Sequence, residues 1–258
     1  MKIFVVANQK GGVGKTTTSI NIAANLALKG KKVLLIDLDP QANSTSGIGY
    51  KKVSVLAREN KSPSIYDVLI GNKRLSDVFV TTIVKNLFLV PSGLDLAGAE
   101  VELINMLSRE TLLRKAIKAF NQPVDYVIVD SPPSLGLLTI NALVAADYVL
   151  IPVQCEYFAL EGLGQLLETV QMVKGINEDI KIGGVVLTMY DSRTKLSEQV
   201  AKDIKKHLSD KVFDTIIPRN IRLSEAPSYG KPIELYDPKS KGAKSYKKLT
   251  DEIVKRFK

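Results

Sequence analysis

Lys15, Thr16 and the glycines at 11, 12 and 14 have the types and spacing needed to hold a polyphosphate. They sit in the run Lys10-Gly11-Gly12-Val13-Gly14-Lys15-Thr16-Thr17. Glycines let backbone N–H groups turn inward and approach anionic oxygens. Lys15 can reach the β- and γ-phosphates of a nucleotide, and the Thr16 hydroxyl can ligate Mg²⁺. The pattern departs from G-x-x-x-x-G-K-[ST] at one place. Gln9 stands where the first glycine is expected, and a second lysine, Lys10, follows it.

Carboxylates recur at two further points. Val33-Leu34-Leu35-Ile36 runs into Asp37-Leu38-Asp39-Pro40, and Tyr126-Val127-Ile128-Val129 runs into Asp130-Ser131-Pro132-Pro133. An apolar strand ending in Asp can hold Mg²⁺ directly or through its waters, the role expected of Asp130. Alternation points Asp37 and Asp39 to one side, with Leu38 opposite. One of them can orient or deprotonate an attacking water, and the other can support magnesium or the loop. A lone Asp after a strand often only caps the next helix. Three of them behind a phosphate loop form a site.

The elements that must position these groups are legible. Apolar strand candidates are 3–7, 33–36, 87–90, 127–129, 148–153, 182–188 and 212–217. Helical spacing covers about 16–29, 97–120 with one break, 136–146, 160–177, 196–208 and 243–257. The β-branched runs predict strands buried on both faces, hence an α/β fold with a doubly wound, mostly parallel sheet flanked by helices. Ligands of such sheets bind at the carboxyl ends of the strands, where the glycine loop and the aspartates fall. Residues 41–63 are polar and read as a mobile loop before a turn at 64–70. A single domain over residues 1–258 is expected.

Composition narrows the class. The 258 residues are 45% hydrophobic and 24% charged, ordinary for a soluble globule. No apolar run approaches the roughly 20 residues of a membrane span, and no signal segment precedes the first strand, so a cytoplasmic location is expected. A single cysteine, Cys155, excludes an intramolecular disulfide and a cysteine metal cluster. Net charge is +9 and uneven: residues 193–258 hold 17 Lys+Arg against 9 Asp+Glu, and residues 1–192 hold 19 against 18. Such asymmetry suits a surface facing a polyanion, nucleic acid or acidic membrane, or else a solvated lysine-rich face.

These motifs resemble the ParA/MinD group of deviant Walker A P-loop ATPases, most closely the ParA/Soj chromosome- and plasmid-partitioning proteins. The resemblance spans essentially the whole chain. It includes K-G-G-V-G-K-T-T at 10–17, L-I-D-L-D-P-Q-A-N at 35–43 and D-S-P-P-S at 130–134. It continues through L-T-M-Y-D-S-R-T at 187–194, I-P-R-N-I-R-L-S-E-A-P-S-Y-G-K-P at 217–232 and Y-D-P-K-S-K-G-A at 236–243. The last three are not generic nucleotide motifs, and they make the subfamily specific.

The resemblance implies an ATP hydrolase with ATP and Mg²⁺ as cofactors and slow intrinsic turnover. Lys10 looks like the signature lysine that reaches the partner's phosphates in an ATP-sandwich homodimer. Gly11, Gly12, Val13, Gly14, Lys15, Thr16 and Thr17 would form the phosphate loop. Asp39 matches the water-activating residue, and Thr16, Asp39 and Asp130 the magnesium set. Pro218 and Asn220 match adenine contacts. Arg193 and Arg222 match arginines that contact DNA, and Arg219 with the lysines at 231, 241, 244 and 247 could extend that patch. Surface salt bridges with local acids are the plainer reading of Arg193 and Arg222.

No base-reading motif is recognised, and the sequence opens on the first strand without a specific-DNA module. Binding to non-specific double-stranded DNA, sensitive to salt, is therefore expected. A ParB-type centromere-binding partner and a nucleoid-associated location follow by resemblance. The main alternative is a MinD-like membrane-associated positioning ATPase. The tail 246–258 places Leu249, Ile253, Val254 and Phe257 on one face, spacing that also packs a terminal helix on its own sheet. A nitrogenase-iron-protein-like carrier would need cluster cysteines, and an adaptor with a vestigial site would not need Lys15, Thr16, Asp39 and Asp130 intact.

Overall fold

A computed structural model describes residues 1–50, 62–156 and 159–258. The chain opens with β1 (Lys2–Val6), α1 (Lys15–Leu28) and β2 (Val33–Asp37). Short helices α2 (Asn43–Gly47), α3 (Ile65–Leu69) and α4 (Leu75–Val78) lead to β3 (Val80–Thr81) and β4 (Leu87–Val90). Then come α5 (Leu96–Leu103), α6 (Leu112–Lys118), β5 (Tyr126–Asp130), α7 (Leu137–Ala145), β6 (Tyr148–Gln154) and α8 (Ala159–Val173). The chain finishes with β7 (Lys181–Thr188), α9 (Lys195–Leu208), α10 (Ile221–Glu225), α11 (Ile233–Tyr236) and α12 (Lys241–Arg256).

The strands form one sheet in the order β3-β4-β2-β5-β1-β6-β7. Every described pairing is parallel except β3 with β4. Successive side chains of a strand face opposite sides, so β1 divides its core between two layers. Val5 and Ala7 join the layer under α3, α5, α6, α7, α8 and α9, and Phe4 and Val6 join the layer under α1 and α12. Both layers are apolar, which is why the strands read as continuous hydrophobic runs instead of alternating ones.

Two departures from the sequence pattern bear on the site, at 212–217 and within 41–63. The segment 212–217 is not a ladder strand: it meets β7 in one isolated bridge, Val185 with Val212, and Pro218 just after it bridges Tyr190 beyond the end of β7. Phe213 N–H donates to Val185 O at 2.9 Å and Ile217 N–H to Leu187 O at 2.8 Å. Between them, the N–H groups of Asp214 and Thr215 donate to the Glu252 carboxylate of α12, at 2.8 and 3.1 Å, drawing the middle of the segment off the sheet edge. The 97–120 helix is broken once, as expected, over 104–111, where Ser108 takes a left-handed φ of 54°. The stretch 41–63 contains α2, whose Ser44 and Thr45 are buried; positions 51–61 of that stretch lie outside the described residues.

The C-terminal helix packs inward. Ser240 caps α12 by accepting from Ala243 N–H at 3.1 Å, and Leu249 and Ile253 are fully buried. Phe257 lies against Phe4 and Tyr148, with ring centroids 5.1 and 4.4 Å away. The apolar stripe of the tail is thus spent on the chain's own sheet. Among the described residues no helix is long and apolar enough to cross a membrane.

Candidate functional site

The glycine loop joins β1 to α1 at the carboxyl end of the sheet. Gly12 and Gly14 sit at φ 75° and 88°, in the left-handed region that disfavours other residues. No side chain caps the N-terminus of α1. Its first N–H groups therefore have no partner from a capping side chain, and the helix end carries partial positive charge. A Cβ built on Gly11 or Gly12 would meet nothing within 4 Å, so the cradle is open. The residues present fit a bound polyphosphate.

Two side chains to which the sequence assigns no role hold that loop. Asn8 accepts from Lys10 N–H at 2.9 Å and donates to Pro152 O at 2.8 Å. Thr188, at the end of β7, donates to Val13 O at 2.8 Å. Neither Asn8 nor Thr188 belongs to a motif with a mechanism attached; only their place at strand ends signals them.

Lys15 is buried, and its Nζ donates to Lys10 O at 3.3 Å. Burial lowers its pKa, and the negative charges of Asp130 and Asp39 act in the opposite direction. Lys10 bonds Glu156 Oε2 of its own chain at 3.3 Å. Gln154 also donates to Glu156.

Asp37 and Asp130 stand opposite each other in the register of β2 and β5. Both are fully buried. Asp130 accepts from Ser19 Oγ at 3.0 Å, from Ser44 Oγ at 2.8 Å and from the Thr16 hydroxyl. Asp37 accepts from Thr45 N–H and Thr45 Oγ1, each at 2.7 Å, and from Asp39 N–H at 3.2 Å. Burial pushes Asp130 up to about 6; burial and then the Asp130 charge push Asp37 up to about 7. Two carboxylates side by side in a dry interior resist joint ionisation.

Geometry separates the two aspartates of the β2 terminus. Asp37 is engaged by α2 through Thr45, whose Oγ1 also accepts from Ser92 N–H at 2.9 Å. Asp39 accepts from Gln41 N–H at 2.9 Å and lies close enough to act electrostatically on Lys15 and Asp130.

A cavity of about 310 Å³ adjoins the loop, lined in part by Gly14, Thr17, Met189, Pro218, Asn220 and Tyr246. Its floor is tied to α1, because the Tyr246 hydroxyl lies 3.0 Å from Thr18 Oγ1. The Asn220 side chain caps α10 by accepting from Arg222 N–H at 3.0 Å. That bond uses its carbonyl oxygen and leaves its amide N–H₂ available. The cavity has the size of a nucleoside pocket.

The proposed DNA arginines lie on the surface beyond this cavity. Arg193 chelates Asp191, with Nη2 2.6 Å from Oδ2 and Nε 2.9 Å from Oδ1. Those bonds hold the Asp191 carboxyl well below the usual range. Arg222 pairs with Glu225 at 2.8 Å and Asp237 at 3.5 Å. Arg219 lines the cavity mouth, and the lysines at 231, 241, 244 and 247 are exposed. The local salt bridges are present, and exposed pairs of this kind contribute only about 0–1 kcal/mol.

Residues 1–182 match the family model described as an AAA domain. The chain is 55% identical to the sporulation initiation inhibitor protein Soj of Bacillus subtilis, over 98% of each chain. It is 52% identical to the chromosome-partitioning ATPase Soj of Treponema pallidum, covering 99% of this chain and 98% of that one. The chromosome partitioning protein ParA of Myxococcus xanthus is 50% identical, covering 99% of this chain and 88% of that one. Among solved structures, cobyrinic acid a,c-diamide synthase from Mycobacterium smegmatis, with bound ATP analog and magnesium, superposes with a TM-score of 0.86. It is 38% identical and covers 100% of this chain and 96% of that one.

Proposed function

The chain belongs to the ParA/Soj family of chromosome-partitioning ATPases, and on that premise we propose that it is an ATP-driven switch for DNA binding, built from a single ATPase domain over residues 1–258. The observation that carries this reading is the continuity of three features. An uncapped helix N-terminus, a buried lysine and a nucleoside-sized cavity meet at Gly14.

ATP enters with its base in the cavity between Pro218 and Asn220 and its phosphates over Gly11 to Thr17. Lys15 then exchanges the Lys10 carbonyl for phosphate oxygens. Thr16 and Asp130, with support from Asp39, would hold Mg²⁺, which would supply charge neutralisation at the phosphates. Asp39 orients the attacking water, and Asp37 holds α2 and the β2 terminus in place.

Two subunits close over the nucleotides. Lys10 leaves Glu156 and reaches the partner's phosphates, so full neutralisation of transition-state charge exists only in the dimer. Closure aligns the basic C-terminal quarters, with Arg193, Arg219 and Arg222 contacting phosphates of non-specific double-stranded DNA. Hydrolysis opens the dimer and releases DNA. A ParB-type partner accelerates that step, and the ATP-bound form resides on the nucleoid.

Sedimentation of the purified chain with ATP, ADP or no nucleotide tests the site. The wild type should dimerise with ATP alone, and Lys15→Ala should stay monomeric. ATP-driven dimerisation of Lys15→Ala would remove the phosphate loop from the mechanism.

A further inference from the structure

A second cavity lies away from the nucleotide site. It measures about 660 Å³ and opens at the start of β6 and β7, lined by Tyr148, Lys181, Ile182 and Gly183. β7 has eight residues, so this end of the sheet is roughly 25 Å from the nucleotide end. Leu167, Val170 and Lys174 of α8 and the turn after it form one wall, and Asp210, Lys211, Arg256 and Phe257 form another.

Its chemistry is two-sided. Val170, Ile180 and Phe257 are buried and make an apolar floor, with half-buried Leu167, Ile182 and Tyr148 at its margin. Four cations, Lys174, Lys181, Lys211 and Arg256, surround that floor against one carboxylate, Asp210. Two of the cations are committed: Lys211 pairs with Asp210 at 3.1 Å, and Arg256 bonds Gly183 O at 3.3 Å and lies 4.1 Å over the Phe213 ring. The ammonium groups of Lys174 and Lys181 have no hydrogen-bond or ion-pair partner among the described residues.

The backbone adds a third feature. β7 ends the sheet. The 212–217 segment covers its outer edge from Val185 onward, and the part before it, Lys181–Gly183, faces the cavity. Arg256 of α12 caps that edge by donating to Gly183 O at 3.3 Å, so recognition here falls to the side chains around the cavity.

We propose that this cavity is a docking site for an acidic peptide of a partner protein that carries an apolar residue. One apolar side chain would seat on the Val170–Phe257 floor and flanking carboxylates would meet Lys174 and Lys181. Charge complementarity favours an acidic chain. The concave apolar floor favours a peptide over duplex DNA, whose phosphates gain nothing from Leu167, Val170 or Phe257. Because the site lies at the opposite end of the sheet, it stays accessible whichever nucleotide is bound.

Fluorescence anisotropy with a labelled peptide, Asp-Glu-Asp-Phe-Leu-Glu-Asp, tests this on the full chain. A second peptide replaces Phe-Leu with Gly-Ser, and duplex DNA is the third probe. Neither lysine belongs to the nucleotide machinery, so K174E/K181E should dimerise with ATP as the wild type does, and K174Q/K181Q provides a milder variant. The Phe-Leu peptide should bind the wild type, about tenfold more weakly to K174E/K181E and with an intermediate loss for K174Q/K181Q. The Gly-Ser peptide should bind about tenfold more weakly than the Phe-Leu peptide. Equal binding to wild type and K174E/K181E, equal binding of the two peptides, no binding at millimolar concentration, or a loss in K174E/K181E of duplex affinity in place of peptide affinity would each overturn the proposal.

Discussion

Asp37→Asn isolates the buried carboxylate pair. In the folded chain Asp37 is pushed up to about 7 from an ordinary 3.8, first by burial and then by Asp130. A carboxylate raised in the native state stabilises the fold below its unfolded pKa, and that contribution is lost as pH rises through the folded value. Between about pH 5 and pH 8, Asp37 alone should therefore remove about 2–3 kcal/mol of stability from the nucleotide-free, metal-free protein. Asn keeps the shape and cannot ionise. It also confronts the three donors on Asp37 with an N–H₂ group in place of one oxygen, at a cost of about 1–3 kcal/mol that does not vary with pH. Urea unfolding in EDTA at both pH values reads the difference. The wild type should lose stability across the interval, and Asp37→Asn should lose about 2–3 kcal/mol less than the wild type does. Parallel declines in the two proteins would show that Asp37 does not carry the buried charge.

Two further outcomes bear on the mechanism. Asp39→Ala should bind ATP, dimerise and remain on DNA, with hydrolysis reduced about a hundredfold or more; a wild-type hydrolysis rate would exclude Asp39 from water activation. Arg193→Glu and Arg222→Glu should each leave ATP-driven dimerisation intact and flatten the dependence of log affinity on log salt by about one for each arginine–phosphate pair removed. An unchanged slope in both would place the DNA surface elsewhere.

Strand periodicity located the sheet well because its strands are buried on both faces and read as apolar runs. It failed at 212–217, where Val212, Phe213 and Ile217 are buried. The Glu252 carboxylate on α12 captures two backbone donors there, a long-range interaction that no local pattern encodes. The same limit hid α2: its Asn-Ser-Thr-Ser-Gly sequence reads as loop, and it forms around Asp37 and Asp130 as acceptors for Thr45 and Ser44. Lys15, Thr16 and Asp130 were legible because their types and order carry a mechanism. Asn8, Ser19, Thr188 and Glu156 act through distances across the fold, and no spacing rule finds them. Local pairing of Arg193 with Asp191, by contrast, was open to the sequence, since the two are separated by one residue.

The most direct measurement is binding to unrelated duplex DNA, with anionic liposomes in parallel, under ATP, ADP and no nucleotide. A partitioning switch binds DNA only with ATP, weakens steeply as salt rises and leaves the liposomes in solution. ATP-dependent liposome binding without DNA binding would contradict it and turn the basic C-terminal quarter into a lipid-facing surface of a MinD-like ATPase.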